Sequence, residues 1–87
     1  MKLIRHTPRG VQYTLVGGQD DSFTHVKTGD KELIINFNIE RLNQSWYDWT
    51  CGNKLVQNAF PYLNDSEREF LITGMTDREW NDMFSDV

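Results

Sequence analysis

A metal in this 87-residue chain would take its ligands from scattered carboxylates and from His6, His25 and Cys51, and these last three side chains are also the candidates for a base and a nucleophile. No two of them stand at the short spacing that structural zinc sites use. The chain also has no Gly-x-Ser-x-Gly elbow and no glycine-rich phosphate loop. The sequence therefore predicts no metal, no cofactor and no catalytic residue, and we expect a protein that is not an enzyme.

Two further expectations concern these three side chains. His6 and His25 should lie on strands of one sheet, where they could meet across it and form a weak metal site. Cys51 is the only cysteine, which excludes a disulfide within the chain and suits a reducing compartment. Because small free thiols usually pack as hydrophobic residues, we expect Cys51 to be buried.

Charge is distributed unevenly along the chain. The net charge of −4 weighs against a nonspecific binder of nucleic acid or of a membrane surface. Residues 62–87 contain seven acids against two arginines, whereas residues 1–37 contain five cations and four acids. A nucleic acid would have to bind through the cations of the predicted sheet, which are Lys2, Arg5, Arg9, Lys27 and Lys31.

The acidic C-terminal segment has two interpretations. Acids in the first turn of a helix are stabilised by the helix dipole, so capping explains much of this charge. The sharper hypothesis is an acidic docking face that binds and modulates a basic host or phage protein. That face would consist of Asp77, Glu79 and Asp82, with Glu67 and Glu69 as further members.

Apolar residues of the same segment give a hypothesis of another class. Trp80, Met83 and Phe84 follow one another at steps of three and one. These side chains would pack in the core or form the interface of a homodimer. The alternative function is therefore a structural or accessory protein that acts as a homo-oligomer with an aromatic interface.

Two β-hairpins are predicted within residues 2–37. The first joins strands 2–7 and 10–16 through Pro8-Arg9 as a two-residue loop. In this register the residues on the core face are Ile4, His6, Val11, Tyr13 and Leu15. Four short strands would thus form a small antiparallel sheet, whose order the sequence does not specify.

The second hairpin joins strands 22–28 and 31–37 through Gly29-Asp30, which suits a type II′ turn. The predicted register sets Lys27 opposite Glu32. The residues that face the core are then Leu33, Ile35 and Phe37. Ile34 points to the other face beside His25, so we expect this hairpin to be partly covered on both faces.

A long helix is predicted over residues 38–60, beginning at Asn38 and ending before Pro61. Its apolar stripe consists of Ile39, Leu42, Trp46, Trp49, Val56 and Phe60. A second row four residues apart would widen the buried face and consists of Tyr47, Cys51, Leu55 and Ala59. Gly52 either permits close packing or marks a break into two shorter helices.

Two short helices should follow. Asn64 and Glu67 have the spacing of a capping box, and Gly74 is expected as the left-handed residue that ends the first helix. Thr76 and Glu79 repeat the capping-box spacing and would open the second helix.

The stretch of residues 57–84 resembles the C-terminal half of short uncharacterised proteins encoded by bacteriophages, and residues 46–56 fit the usual lead-in. The positions that carry the resemblance are Trp46, Trp49, Gly52, Gln57, Phe60, Pro61, Leu63, Arg68, Glu69, Phe70, Leu71, Thr73, Gly74, Trp80 and Phe84. It implies a phage or prophage origin and a role in the infected cell. It implies no activity and transfers no catalytic residue.

Together these patterns predict one α+β domain spanning residues 1–87. A β-rich part at 1–37 forms an antiparallel sheet of two hairpins, and a helical part at 38–84 packs one long and two short helices on it, before a frayed tail at 85–87. No segment has the length and hydrophobicity of a signal peptide or a membrane span. We therefore expect a cytoplasmic protein, in the host cell if it is phage-encoded.

Overall fold

Strands precede helices along the part of the chain that the computed structural model describes, which is residues 1–75 with Arg78 and Asp82. The elements of this part are β1 (Lys2–His6), β2 (Gln12–Gly17), β3 (Thr24–Thr28), β4 (Lys31–Ile35), α1 (Ile39–Thr50), α2 (Val56–Ala59) and α3 (Asp65–Thr73). The strands form one antiparallel sheet in the order β1-β2-β3-β4. The predicted α+β architecture, two hairpins packed against one long and two short helices, is confirmed.

The register of the first hairpin differs from the prediction by one residue. His6 pairs with Gln12, and the Thr7 amide donates to the Val11 carbonyl oxygen at 2.9 Å, so the turn that closes the hairpin holds three residues, 8–10, rather than two. The Gly10 amide donates to the Thr7 carbonyl oxygen at 2.8 Å, and Gly10 has φ 87°. A left-handed residue at the end of the loop is what a three-residue hairpin requires, and glycine adopts it without strain.

This shift of one residue exchanges the two faces of β1. Ile4 is 51% exposed and His6 is exposed, so both residues lie on the face away from the helices, contrary to the prediction. Leu3 turns toward the core instead. The predictions for Tyr13 and Leu15 are confirmed, since both are fully buried, whereas Val11 is exposed at the start of the second strand.

The second hairpin has the predicted register. Lys27 pairs with Glu32, and Gly29 has φ 59° at the first position of the two-residue loop. Ile35 is fully buried, as expected. Ile34 is 50% exposed and His25 is half-buried against the Phe23 ring, so the second face of this hairpin is partly covered.

Helix α1 begins where the sequence predicts. The Asn38 side chain accepts a hydrogen bond from the Arg41 amide at 2.8 Å, which satisfies one of the unpaired amides of the first turn. The first part of the apolar stripe, Ile39, Leu42 and Trp46, is buried against the sheet.

The helix ends at Thr50, however, so the length predicted for it is wrong. A Cβ atom on Gly52 would lie 2.8 Å from the Asp48 carbonyl oxygen. Asn53 is left-handed with φ 56°, and the Lys54 amide turns back to donate to the same Asp48 oxygen at 3.1 Å. The break into two helices is therefore the observed arrangement.

The second apolar row is wrong for three of its four residues. Tyr47 and Leu55 are each 61% exposed, and Cys51 is exposed, while Ala59 is buried within α2 as predicted. Because Tyr47 is exposed within α1 itself, this face of the helix points to solvent, and the turn after Thr50 separates it from Ala59.

Aromatic rings form the centre of the core. Trp46 makes edge-to-face contacts with Tyr13, Trp49 and Phe60 at centroid distances of 5.4, 5.6 and 6.0 Å. Its indole N–H donates to the His6 carbonyl oxygen at 2.9 Å, which fixes α1 across β1. Such ring pairs add to the stabilisation from burial, so this cluster holds the helices on the sheet.

Helix α3 has both predicted ends. Asn64 and Glu67 form a complete capping box, with amide-to-side-chain bonds of 2.9 and 2.8 Å. Gly74 is left-handed with φ 73° and donates its amide to the Phe70 carbonyl oxygen. The second predicted capping box, at residues 76–79, lies outside the described residues except for Arg78, which is helical.

Candidate functional site

The two histidines do not meet. His6 pairs with Gln12 and His25 pairs with Val16, four residues further along β2, which corresponds to about 13 Å at ~3.3 Å per residue. His25 contacts Glu32 instead, at 3.1 Å from Nδ1 to the carboxylate. Among the described residues no three His, Cys, Asp or Glu side chains are grouped as a metal site would require.

Cys51 is exposed, so its predicted burial is wrong. It caps the C-terminal end of α1, where its amide donates to the Tyr47 carbonyl oxygen at 2.8 Å. The sequence pattern placed Cys51 on a buried row, but Tyr47, one turn earlier on the same face of α1, is exposed as well, so this face of the helix points to solvent.

The five cations predicted for nucleic-acid binding do not lie on one face of the sheet. Lys2 and Lys27 line the same shallow pocket on the face opposite the helices, and Lys27 lies within 3.6 Å of Glu32. Arg5 points toward the helices and donates from Nε to Asn43 at 2.8 Å. A phosphate backbone needs several cations along one line, and Arg5 lies on the face opposite to Lys27.

The predicted acidic docking face is only partly within the described residues. Glu67 closes the capping box of α3, and Glu69 is half-buried. Asp82 is helical and exposed. Asp65, in the first turn of α3, is the most open of these carboxylates at 99% exposure, and it contacts Arg68. Two of the proposed docking residues, Asp77 and Glu79, lie outside the described residues.

The three residues of the predicted aromatic interface, Trp80, Met83 and Phe84, also lie outside the described residues.

The sheet face opposite the helices carries a small cluster of contacts. The Phe23 ring packs edge-to-face on His25 at 5.4 Å and lies over Gly18, where a Cβ would come within 2.6 Å of the ring. Glu32 contacts both His25 and Lys27. These contacts explain why Gly18 carries no side chain, and they leave Ile34 exposed beside the cluster.

A cleft opens where the β1–β2 loop approaches the end of α1. We call it the hairpin cleft. Its lining consists of residues 7–9, Trp49, residues 53–56 and Ile72, and its volume is about 430 Å³. Small-ligand sites have volumes of roughly 300–1,000 Å³, so this cleft is large enough to hold a few side chains.

The hairpin cleft combines an apolar floor with a charged rim. Trp49, Val56 and Ile72 are half-buried and provide apolar surface. Arg9 and Lys54 are exposed and line it as well. Sequence reasoning assigned Trp49 and Val56 to the core stripe and missed the cleft, because its walls come from four separate segments. The one local signal of the cleft is Leu55, which is apolar and exposed although it stands at the N-cap of α2, a position where polar residues are favoured.

Two tyrosine hydroxyls have raised pKa values, and both form hydrogen bonds within the structure. Burial raises the pKa of Tyr13 to about 12, and its hydroxyl donates to the Phe70 carbonyl oxygen at 2.6 Å. Burial also raises the pKa of Tyr62, whose hydroxyl shares a hydrogen bond with Ser45 at 2.7 Å. Both groups remain protonated at neutral pH and act as hydrogen-bonding links within the core.

Within the described part of the chain, no helix is both long and apolar enough to cross a lipid bilayer.

In comparisons with known proteins, no family model, no curated protein and no solved structure matches this chain.

Proposed function

We propose that this chain is a small, non-enzymatic accessory protein that acts in the cytoplasm and binds and modulates another protein. Its resemblance to phage-encoded proteins supports a partner from the host or the phage. The proposed contact surface is the acidic C-terminal helical face, defined by Asp77, Glu79 and Asp82 with Glu67 and Glu69 at its border.

The observation that carries this proposal is the segregation of charge. Residues 62–87 contain seven of the thirteen acids and two of the nine cations. Helix capping accounts for Glu67, and Arg68 neutralises Asp65. Asp82 is exposed at a helical position. An excess of exposed carboxylates attracts basic surfaces and speeds their association.

The absence of a recognisable catalytic grouping among the described residues supports a binding role. His6 and His25 are separated along the sheet. The hydroxyls of the two tyrosines with raised pKa values, Tyr13 and Tyr62, already form hydrogen bonds within the protein. A protein of this kind acts through its surface, so the experiment that tests the proposal measures association.

The test is capture of partners from bacterial lysate with the tagged protein, at low and high salt. Asp77→Asn, Glu79→Gln and Asp82→Asn are combined in one bait. A matched control bait combines Asp21→Asn, Asp30→Asn and Glu40→Gln, which remove three exposed acids elsewhere. One partner that is released by salt, lost with the first bait and retained by the control supports the proposal, because exposed charge contacts are screened by salt.

The alternative function, a homo-oligomer with Trp80, Met83 and Phe84 at its interface, gives a different result. The molar mass of the purified protein in solution would then be that of a dimer or larger assembly, at low and high salt alike, because apolar contacts are not screened. A salt-resistant dimer without a captured partner would contradict the acidic docking proposal.

A further inference from the structure

We propose that the hairpin cleft is a second binding site, which takes an extended peptide segment of a partner protein with an apolar side chain flanked by carboxylates. This site uses none of the residues of the acidic C-terminal face and does not depend on the function proposed above. Its floor would hold the apolar side chain, and its rim would face the carboxylates.

The floor of the cleft is held in place before any ligand arrives. Trp49 packs edge-to-face on Trp46 at 5.6 Å and on Phe60 at 5.9 Å. Trp46 and Phe60 are themselves buried in the core. A ring fixed on two sides loses little conformational freedom on binding, and this lowers the entropic cost of association.

Part of the cleft wall is Leu55, an apolar residue at a helix N-cap, where polar residues are favoured. Leu55 stands at the N-cap of α2, makes no side-chain capping bond and is 61% exposed. A short polar side chain at this position (Ser, Thr, Asp or Asn) would accept a hydrogen bond from a helix amide and would be well solvated at the surface. Exposed apolar area beside the floor of the cleft therefore offers contact surface to a ligand.

The rim selects the charge of the ligand. Arg9 and Lys54 line the cleft from two separate segments, the β1–β2 loop and the segment after α1. Among the described residues Arg9 forms no ion pair, and the Lys54 ammonium lies 3.9 Å from Asp48. In a protein with net charge −4, two cations around one apolar cleft form a local positive site. A carboxylate complements it, and a basic peptide would be repelled.

The test uses amide NMR spectra of the full chain titrated with three synthetic peptides. The acidic probe is acetyl-Glu-Leu-Phe-Glu-amide, and its neutral and basic counterparts replace both Glu residues with Gln or Lys. We expect the acidic peptide to shift the signals of the Trp49 indole, Leu55 and Ile72, with an affinity at least five-fold above that of the neutral peptide. The basic peptide should bind more weakly still.

Two variants then separate charge from apolar contact. Arg9→Gln with Lys54→Gln should reduce the affinity for the acidic peptide to that for the neutral one. The matched control is Lys2→Gln with Lys27→Gln, which removes two cations from the sheet face opposite the helices and should leave binding unchanged. Leu55→Asn should weaken binding of the acidic and neutral peptides by at least three-fold without lowering the melting temperature, since Asn is a favourable N-cap.

Several results would overturn the proposal. These are no shifts with any peptide at millimolar concentration, shifts centred outside the cleft, equal affinity for the three peptides, and an acidic preference that survives removal of Arg9 and Lys54. Neutralising the acidic C-terminal face should not affect peptide binding, so the failure of one proposal leaves the other standing.

Discussion

The Tyr13 hydroxyl lies 2.6 Å from the carbonyl oxygen of Phe70, 57 residues away in sequence. It also lies 3.0 Å from the Leu71 carbonyl oxygen. Both carbonyls belong to the last turn of α3; the Phe70 oxygen also accepts from the Gly74 amide, so the Tyr13 hydroxyl is a second donor at this turn. A fully buried side chain of β2 therefore completes the end of α3 and fixes the helix on the sheet.

Removing this hydroxyl should destabilise the protein. Tyr13→Phe keeps the ring and its contact with Trp46, but it removes the buried side-chain donor from the Phe70 and Leu71 carbonyl oxygens. We expect the free energy of unfolding to fall by about 1–3 kcal/mol, as measured by urea denaturation. The matched control is Tyr47→Phe, which removes a hydroxyl from a ring that is 61% exposed and should change stability little. Equal effects of the two substitutions would show that Tyr13 forms no such link.

Stability should also fall at alkaline pH. An unfolded tyrosine loses its proton near pH 10, whereas burial raises the pKa of Tyr13 in the folded protein to about 12. Between these values the folded state retains a proton that the unfolded state has lost. The free energy of unfolding should therefore decrease by up to about 1.4 kcal/mol for each pH unit above 10. Tyr62, whose pKa is raised too, adds to the decrease.

The measurement is a series of urea denaturation curves from pH 8 upward. In Tyr13→Phe the decrease above pH 10 should be shallower, because one of the contributing groups is absent. An unchanged slope in that variant would mean that Tyr13 ionises normally in the folded protein.

Gly52 should be required for the end of α1. Alanine there would bring a Cβ to 2.8 Å from the Asp48 carbonyl oxygen, which is backbone and cannot rotate away. We expect Gly52→Ala to lower the free energy of unfolding by about 1–2 kcal/mol. Gly17→Ala is the matched control, since the nearest side-chain atom to its Cβ would be at an ordinary contact distance of 3.6 Å. A neutral Gly52→Ala, measured by thermal unfolding, would contradict this account of the break.

The thiol of Cys51 should react in the folded protein. Because Cys51 is exposed, iodoacetamide should label it under native conditions at a rate within about ten-fold of the rate in denaturant. Mass spectrometry of timed samples measures both rates. Labelling that occurs only as fast as the protein unfolds would show that the thiol is buried, as the sequence pattern alone predicts.

The sequence was sufficient where a local rule determined the structure. Gly29 fixed the second hairpin, and Asn38, Asn64 and Gly74 marked the ends of helices. These features depend on residues within four positions of each other, and no distant contact can override them at low cost.

The first hairpin shows where local rules fail. Pro8-Arg9-Gly10 is compatible with a loop of two or three residues, and only the left-handed Gly10 decides for three. Both registers place apolar residues on each face of β1, since Leu3 and Ile4 are adjacent. The alternation of residue types therefore could not detect the error.

The hairpin cleft could not be predicted, because it depends on tertiary contacts. Arg9 and Ile72 are more than sixty residues apart in sequence, and they line one cleft only because α1 ends at Thr50 and α3 packs on the sheet. An apolar pattern cannot distinguish the half-buried floor of such a cleft from the core itself.

The acidic docking face is tested by capture from lysate with three baits: the wild-type chain, the variant lacking the charges of Asp77, Glu79 and Asp82, and the control lacking those of Asp21, Asp30 and Glu40. We expect one partner that binds the wild type and the control at low salt, leaves both at high salt, and does not bind the first variant. A partner retained by that variant, or a salt-resistant dimer with no partner, would contradict it.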